Sequence, residues 1–492
     1  LAKCRYFKSV KMELLGRENE QDTIKDGLTS SESKLIAVYG RRRVGKTFMI
    51  RQHFQGQMSF EISGLYRGDM TDQLDHWTDT LGQYGHYIPV GTEITTWMSA
   101  FGQLKIFIDN LSGKKKKVIF IDELPWFDTP RSKFLTAFES FWNSYCTKRN
   151  DLLVIICGSA ASWMIQKILK NKGGLHNRVS AQINLQPFNL YETELFLRKK
   201  GILWDKYSII QLYMTTGGIP YYLDAVRKGE SVVQFVDRVC FKKDGLLYGE
   251  FDELYASLFS NSEIHEQIVA TLATVGKGMT RTILVSKSGL SSGGTLTKAL
   301  EELDKSGFID KVIPYKGGVN KALYKLTDPF TLFHFKFMVV KGKRVKSSWQ
   351  TKALSQSWKS WSGFAFERLC FTHTDQIQRA LGLQVIQTEI SSWQGKSEKE
   401  NGAQIDMIID RSDNIINVCE IKFSSGEYSI DKAYAQNLRN KLAKFSEHKA
   451  NKKKALFLTL ITPQGVSTNM YSQELIQSEV KGNQLFKKDT KV

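Results

Sequence analysis

Apolar positions along this chain fall into runs of three kinds. Leu35-Ile36-Ala37-Val38-Tyr39, Val118-Ile119-Phe120-Ile121 and Leu152-Leu153-Val154-Ile155-Ile156-Cys157 are unbroken. Each ends at glycine or at a polar or acidic residue, the pattern of strands buried on both faces of a parallel sheet. From about residue 186 to 250 the pattern turns mostly helical. Ile264, Ile268, Val269 and Leu272 then share one helical face. A short helix fits 280–288, and a third, with Leu296, Leu300 and Leu303 inward, fits 295–305. Gly307-Phe308-Ile309, a Lys-Gly-Gly turn at 316–318 and Leu323-Tyr324-Lys325-Leu326 complete a β-hairpin. Three helices and a hairpin predict a winged helix. Further on, the β-rich runs 404–410 and 415–422 flank the polar Ser412-Asp413-Asn414, a second hairpin.

The first strand runs into Gly40-Arg41-Arg42-Arg43-Val44-Gly45-Lys46-Thr47, a complete Gly-x-x-x-x-Gly-Lys-Thr phosphate-binding loop, followed by the helix-compatible Phe48-Met49-Ile50-Arg51. Gly40 and Gly45 let backbone N–H groups turn toward phosphate oxygens. Lys46 reaches the outer phosphates, Thr47 ligates Mg²⁺, and the helix N-terminus adds its dipole. The second strand ends in Asp122-Glu123. Asp122 is placed to hold Mg²⁺ through water, and Glu123 to polarise the attacking water. Ser159, at the end of the third strand, is a candidate sensor of the outermost phosphate or, alternatively, a helix N-cap. Lys114-Lys115-Lys116-Lys117 read as a solvated loop at the far end of the sheet. The cofactors this predicts are ATP and Mg²⁺.

The 492 residues suffice for two to four domains. The net charge of +19 favours a polyanionic partner, most simply nucleic acid, the alternative being a generally basic, soluble surface. Cys4, Cys146, Cys157, Cys240, Cys370 and Cys419 form no Cys-x-x-Cys pair, which argues against a disulfide frame or a zinc site and for a reduced, cytoplasmic setting. No apolar run approaches a membrane span. The start, Leu1-Ala2-Lys3-Cys4-Arg5-Tyr6, lacks a signal-peptide core and an initiator Met, so a truncated or processed chain is expected.

Three boxes in order carry a resemblance. Leu15-Gly16-Arg17-Glu18-Asn19-Glu20 resembles the Gly-Arg-Glu-x-Glu box of archaeal-type AAA+/STAND ATPases. Arg41-Arg42-Arg43-Val44 is similar to that family's loop, and Gly217-Gly218-Ile219-Pro220-Tyr221-Tyr222 to its Gly-Gly-Ile-Pro box. The resemblance implies an adenine site near the first box, a helical lid with Pro220 packed near the base, and Arg178 as an arginine finger for a neighbouring subunit in a homo-oligomer. A plain surface arginine is the alternative for Arg178. The winged helix carries Lys298 and Lys305 on its third helix and Lys311, Lys316, Lys321 and Lys325 on its wing. These residues either contact DNA phosphates or belong to a module packed within the molecule.

The last hairpin rewards a register count. With Ser412-Asp413-Asn414 as a three-residue loop, Arg411 pairs with Ile415, Asp406 faces Glu420, and Gln404 and Lys422 share their face. A two-residue loop would send the acids to opposite faces. Opposed carboxylates about 4.5–5.5 Å apart at Cβ ask for a divalent cation, Mg²⁺ or Mn²⁺, with Lys422 stabilising the developing charge. Asp406, Glu420 and Lys422 resemble the PD-(D/E)XK nuclease trio, and with the ATPase upstream the chain looks like an archaeal-type ATPase with a DUF234-type C-terminal domain. Ile405 stands where the motif has proline. Glu367, in Gly363-Phe364-Ala365-Phe366-Glu367-Arg368, is the additional metal-binding acid the superfamily implies, or a solvated helix residue. Lys432, Arg439, Lys441 and Lys444, on the helix that follows, either line a nucleic-acid channel or face solvent.

The expected architecture is therefore an α/β P-loop ATPase domain (1–185), a helical lid (186–255), a winged helix (256–330), a Ser-, Lys- and Trp-rich linker (331–362) and a restriction-endonuclease-like α/β domain (363–492). The expected function is ATP hydrolysis coupled to a metal-dependent DNA nuclease-like domain, in DNA processing or defence. The alternative is a STAND-type switch whose last domain binds DNA or a partner without cutting.

Overall fold

A computed structural model describes residues 14–488 apart from 90, 171–172, 260, 277, 341–342, 345–347, 396–403 and 448–452. The expectations for Cys4 and the first residues lie outside the described residues. The chain divides into two compact units, 1–186 and 187–492.

The first unit is a five-stranded, all-parallel sheet: β1 (Lys34–Tyr39), β2 (Phe60–Ser63), β3 (Lys117–Asp122), β4 (Leu152–Gly158) and β5 (Ala181–Asn184), in the spatial order β2-β3-β4-β1-β5. The central strands β1, β3 and β4 are buried almost throughout, which is why their sequences do not alternate. One face packs on Trp77, Trp97, Phe101, Phe127, Phe134 and Phe138, a mutually contacting aromatic layer. Because β1 is flanked by β4 and β5, the ends of β1, β3 and β4 converge, where α/β sheets bind ligands. The lysine run before β3 is not simply solvated. Lys117 is buried and pairs with Asp151 at 2.6 Å, and Lys116 Nζ donates to the carbonyls of Gly27, Ser30 and Glu32, closing the end of helix Glu18–Thr29.

The second unit begins with helices Leu190–Lys199, Lys206–Thr216, Pro220–Asp224 and Val232–Val236. Gly217 and Gly218 have φ of +69° and +67°, and a Cβ on Gly218 would lie 2.1 Å from Phe188 O, so the turn before Pro220 needs glycine there. Helices Ser262–Ala273, Arg281–Ser288 and Gly294–Lys305 follow, then the antiparallel hairpin β6 (Ile309–Val312) and β7 (Leu323–Leu326). Ile268, Val269, Leu272, Leu284, Leu296, Leu300 and Leu303 form this module's core. His265 takes the inner place expected of Ile264, with Nε2 2.9 Å from Glu302 and its ring stacked on Phe259.

The segment expected to be a linker is folded. It holds helix Pro329–Phe333, a π-helical turn His334–Met338, the short pair β8 (Val339–Val340) and β9 (Lys343–Arg344) and helix Trp349–Lys352, and helix Gln356–Thr372 begins before its expected start. The reason is its tryptophans: Phe333, Phe337, Trp349, Trp358 and Trp361 pack against one another, mostly edge to face, and Trp349 stacks on Phe241. Such aromatic area, once buried, outweighs the polar residues between.

The C-terminal sheet has the order β10-β11-β12-β13-β14: β10 (Thr388–Gln394), β11 (Gln404–Arg411), β12 (Ile415–Ile421), β13 (Ala455–Thr462) and β14 (Ser478–Lys481). The first three are antiparallel neighbours and the last three parallel, with helix Lys432–Ser446 making the crossover between β12 and β13. Its core joins Ile405, Ile408, Ile416, Val418, Leu458 and Leu460 to Leu438 and Phe445, and to Tyr315 from the β6–β7 loop.

Candidate functional site

The phosphate loop takes its shape from three left-handed residues, Gly40, Arg43 and Gly45, at φ +141°, +70° and +92°. A Cβ on Gly40 would fall 2.3 Å from Leu185 O. Lys46 opens helix Lys46–Phe54 and is buried, and its Nζ donates to Gly40 O (3.0 Å), Arg41 O (2.9 Å) and Ser159 Oγ (3.1 Å). A buried ammonium whose hydrogen-bond partners among the described residues are neutral oxygens is suited to an anion. Thr47 Oγ1 donates to Asp122 Oδ2 at 2.7 Å, bringing together the hydroxyl and carboxylate that would hold Mg²⁺. Asp122 Oδ1 accepts from the Glu123 N–H at 2.9 Å. Glu123 stands at φ +45°, and its carboxylate accepts from the Ser159 N–H at 3.0 Å and from the Ser159 hydroxyl. Ser159 does not cap a helix: the next one, Ala161–Trp163, has Ala160 at its N-cap. The residues present therefore fit a nucleotide with its metal. Bound Mg²⁺ would supply charge neutralisation at the phosphates.

In the second unit, β11 and β12 pair Met407 with Cys419, Ile408 with Val418, Ile409 with Asn417 and Asp410 with Ile416, and Asn414 turns the loop at φ +64°. This is the three-residue-loop register, which continues to Asp406 opposite Glu420. Glu420 is buried and fully engaged: Lys422 Nζ donates to Oε1 (2.7 Å), Tyr434 Oη to Oε1 (2.6 Å), and Lys441 Nζ to Oε1 (3.0 Å) and Oε2 (2.8 Å). Burial acts to raise its pKa, but Lys422 and Lys441 together hold it below the ordinary carboxylate value. Asp406 Oδ2 accepts from the Ile421 N–H at 3.0 Å. Burial, reinforced by the Glu420 charge, pushes Asp406 up to about 6. Burial and the Asp406 charge push Glu367, on helix Gln356–Thr372, up to about 7, with Lys325 and Arg368 opposing. Glu367 is half-buried rather than fully solvated. Among the described residues no group of three or more His, Cys, Asp or Glu, these three acids included, is placed to hold an ion. Lysines take the cation's place at Glu420.

Residues 14–226 match the family described as an ATPase domain predominantly from Archaea. The chain carries an archaeal-type P-loop ATPase domain. That domain makes the chain an ATP-hydrolysing enzyme. An uncharacterized protein of Methanocaldococcus jannaschii is 23% identical over 390 residues, 78% of this chain and 82% of that protein. Among solved structures, a Walker-type ATPase of Pyrococcus abyssi is similar at 18% identity and TM-score 0.49, over 65% of this chain and 96% of that one. The ORC2 protein of Aeropyrum pernix is similar at 14% identity and TM-score 0.40, over 70% and 96%.

In the ATPase, hydrogen bonds join Gly40, Arg41, Lys46, Thr47, Asp122, Glu123 and Ser159 into one network. Arg178 is exposed and outside it. Pro220 belongs to the second unit, as the first residue of helix Pro220–Asp224. Of the basic residues expected to face DNA, several are committed elsewhere: Lys298 and Lys305 pair with Glu302 and Glu301 along their own helix, Lys316 lies 3.3 Å from Asp410, Arg439 pairs with Glu474, and Lys441 holds Glu420. Lys311, Lys321, Lys432 and Lys444 are exposed. Tyr434 was missed by sequence reasoning. Its signal is its spacing, two helical turns from Lys441 and hence on the same face. No helix among the described residues is long and apolar enough to cross a membrane.

Proposed function

We propose that this ATPase is DNA-directed and that its nucleotide state governs a nuclease-like C-terminal domain. The observation that carries the reading is the β11–β12 register, which read one pair past Met407–Cys419 sets Asp406 opposite Glu420, with Lys422 Nζ donating to Glu420 at 2.7 Å. Helix Gln356–Thr372, bearing Glu367, precedes the β10–β14 sheet that carries Asp406 and Glu420. The module 262–326 has the helix and hairpin order of a winged helix. The net charge of +19 favours a nucleic acid partner. Exposed Arg178 suits an arginine finger offered to a second copy, which makes a homo-oligomer part of the proposal.

A second reading is a STAND-type switch whose last domain binds DNA or a partner without cutting. It is favoured by the saturation of Glu420 with Lys422, Lys441 and Tyr434. One assay separates the two. The full chain is incubated with single-stranded, linear and supercoiled DNA and Mg²⁺ or Mn²⁺, with and without ATP, beside Glu420→Ala. Metal-dependent cutting lost in Glu420→Ala supports the nuclease. Intact ATP turnover with no cutting of any substrate leaves the switch.

A further inference from the structure

Glu420 meets cations from two elements. Lys422, just past the end of β12, donates its Nζ to Oε1 at 2.7 Å. The crossover helix Lys432–Ser446 supplies the rest. Tyr434, Leu438, Lys441 and Phe445 follow one another at helical spacing and share one face. Leu438 and Phe445 anchor that face in the core of the C-terminal sheet. Tyr434 Oη then donates to Oε1 (2.6 Å), and Lys441 Nζ reaches both oxygens, Oε1 at 3.0 Å and Oε2 at 2.8 Å. The Lys422 ammonium also lies 5.4 Å from the centre of the Tyr434 ring. An ionised carboxylate offers about four lone-pair positions. From the described residues, three hydrogen bonds end on Oε1 and one on Oε2, so what stays open lies on Oε2. An ion such as Mg²⁺ takes its oxygen ligands at about 2.1 Å. On the open side of Oε2 it would stand within about 5 Å of the Lys441 ammonium, where like charges repel strongly in a poorly solvated place.

We propose that Lys441 is the built-in cation of the C-terminal acid site and keeps divalent metal off Glu420 in the folded chain. The side chains around Glu420 do not fit the metal that an Asp…Glu-x-Lys hairpin calls for, and Lys441 is the reason. Lys422 belongs to that pattern. Lys441 lies outside it, on the helix that follows, and it spans both carboxylate oxygens as a bidentate ion would. Together the two ammonium groups bring the charge that Glu420 and the facing Asp406 would otherwise draw from a divalent ion. Lys441 does not leave readily, because its departure would strip charge from a buried carboxylate. The inference goes beyond the proposed function and does not rest on it: it concerns which cation Glu420 holds, not whether DNA is cut.

The test is Mn²⁺ binding to the full chain, read from the electron paramagnetic resonance signal of free Mn²⁺. It is run without nucleotide and in an Asp122→Asn parent, so that the ATPase centre does not contribute. Lys441→Met is expected to bind Mn²⁺ at least about tenfold more tightly than the parent, the gain from removing a competitor that vacates Glu420 less than about a tenth of the time. Adding Glu420→Gln should abolish that gain. Lys441→Gln removes the charge but keeps a donor for Glu420. It should show a gain of the same sign, and it carries the test should Lys441→Met fail to fold. A parent that already binds Mn²⁺ through Glu420, shown by loss of binding in Glu420→Gln alone, overturns the proposal. So does a lysine variant that binds no more tightly than the parent, or a gain that survives Glu420→Gln. A chain that never cuts DNA gives the same readings, so the nuclease-like reading can fail while this test still decides.

Discussion

Lys441 places its ammonium 2.8 Å from one oxygen of Glu420 and 3.0 Å from the other. Both side chains are largely buried, at 18% and 3% exposed. Removing one partner of such a pair is costly because the remaining charge is left in a poorly solvating place. Glu420 keeps Lys422 and Tyr434 in that event. Lys441→Met is therefore expected to destabilise the second unit by roughly 1–3 kcal/mol, below the full cost of stranding a buried charge. Denaturant unfolding of the second unit checks this. Because the folded pKa of Glu420 is depressed, its contribution is present above the unfolded value and lost as pH falls through the folded one. The variant should accordingly lose less stability on acidification than the wild type does.

Glu367 and Asp406 have the opposite sign. Burial raises them to about 7 and about 6, above their unfolded values of 4.5 and 3.8. Between those limits the folded state holds more protons than the unfolded one, so stability falls as pH rises from about 4 to 7. Glu367→Gln removes an ionisation that the fold opposes. It is expected to flatten the stability profile over that window and to exceed the wild type at pH 8 by on the order of 1–3 kcal/mol. Unfolding midpoints measured across the pH range decide it, and a profile as steep as the wild type's would refute the assignment to this pair.

Gly40 tests the phosphate loop's geometry. Its φ of +141° is closed to ordinary side chains, and an added Cβ would collide with the backbone oxygen of Leu185. Gly40→Ala should cost at least about 1–3 kcal/mol and disturb the loop that Lys46 braces. Weaker ATP binding by calorimetry, with a lowered melting temperature of the first unit, is the expected pair of results. Gly45 makes the contrast: no atom lies within 4 Å of its Cβ position, so Gly45→Ala should show strain from φ alone.

How much of this was written in the sequence depends on the range of the interaction. The phosphate loop, the strand ends at Asp122 and Ser159 and the Asp406–Glu420 register are local patterns, fixed by strand alternation and turn length. They were legible because nothing distant has to be known. The fate of the charges was not legible. Lys316 meets Asp410, and Tyr315 joins the core of the C-terminal sheet, only because the hairpin folds onto strands formed far along the chain. A lysine at a wing position looks the same in sequence whether it faces phosphate or a buried acid. Likewise the segment with Trp349, Trp358 and Trp361 read as a linker from its serines and lysines, although its tryptophans pack on Phe333, Phe337 and Phe241.

Ser159 bridges the two charged groups of the ATPase centre, donating its hydroxyl to Glu123 and accepting from Lys46. Both of Ser159's donors go to Glu123, so the carboxylate that would polarise water is held at the end of β4. Glu123→Gln is expected to keep ATP binding and to lose about 10²–10⁴-fold in hydrolysis, the usual worth of a general base. Ser159→Ala removes the side-chain link and leaves the backbone N–H bond. ATP binding should survive, because Lys46 retains the two loop carbonyls. Hydrolysis should fall by about tenfold if Ser159 orients Glu123 for attack. Steady-state ATP turnover beside equilibrium binding separates the two effects. Unchanged turnover in Ser159→Ala would mean that the backbone bond alone positions the carboxylate.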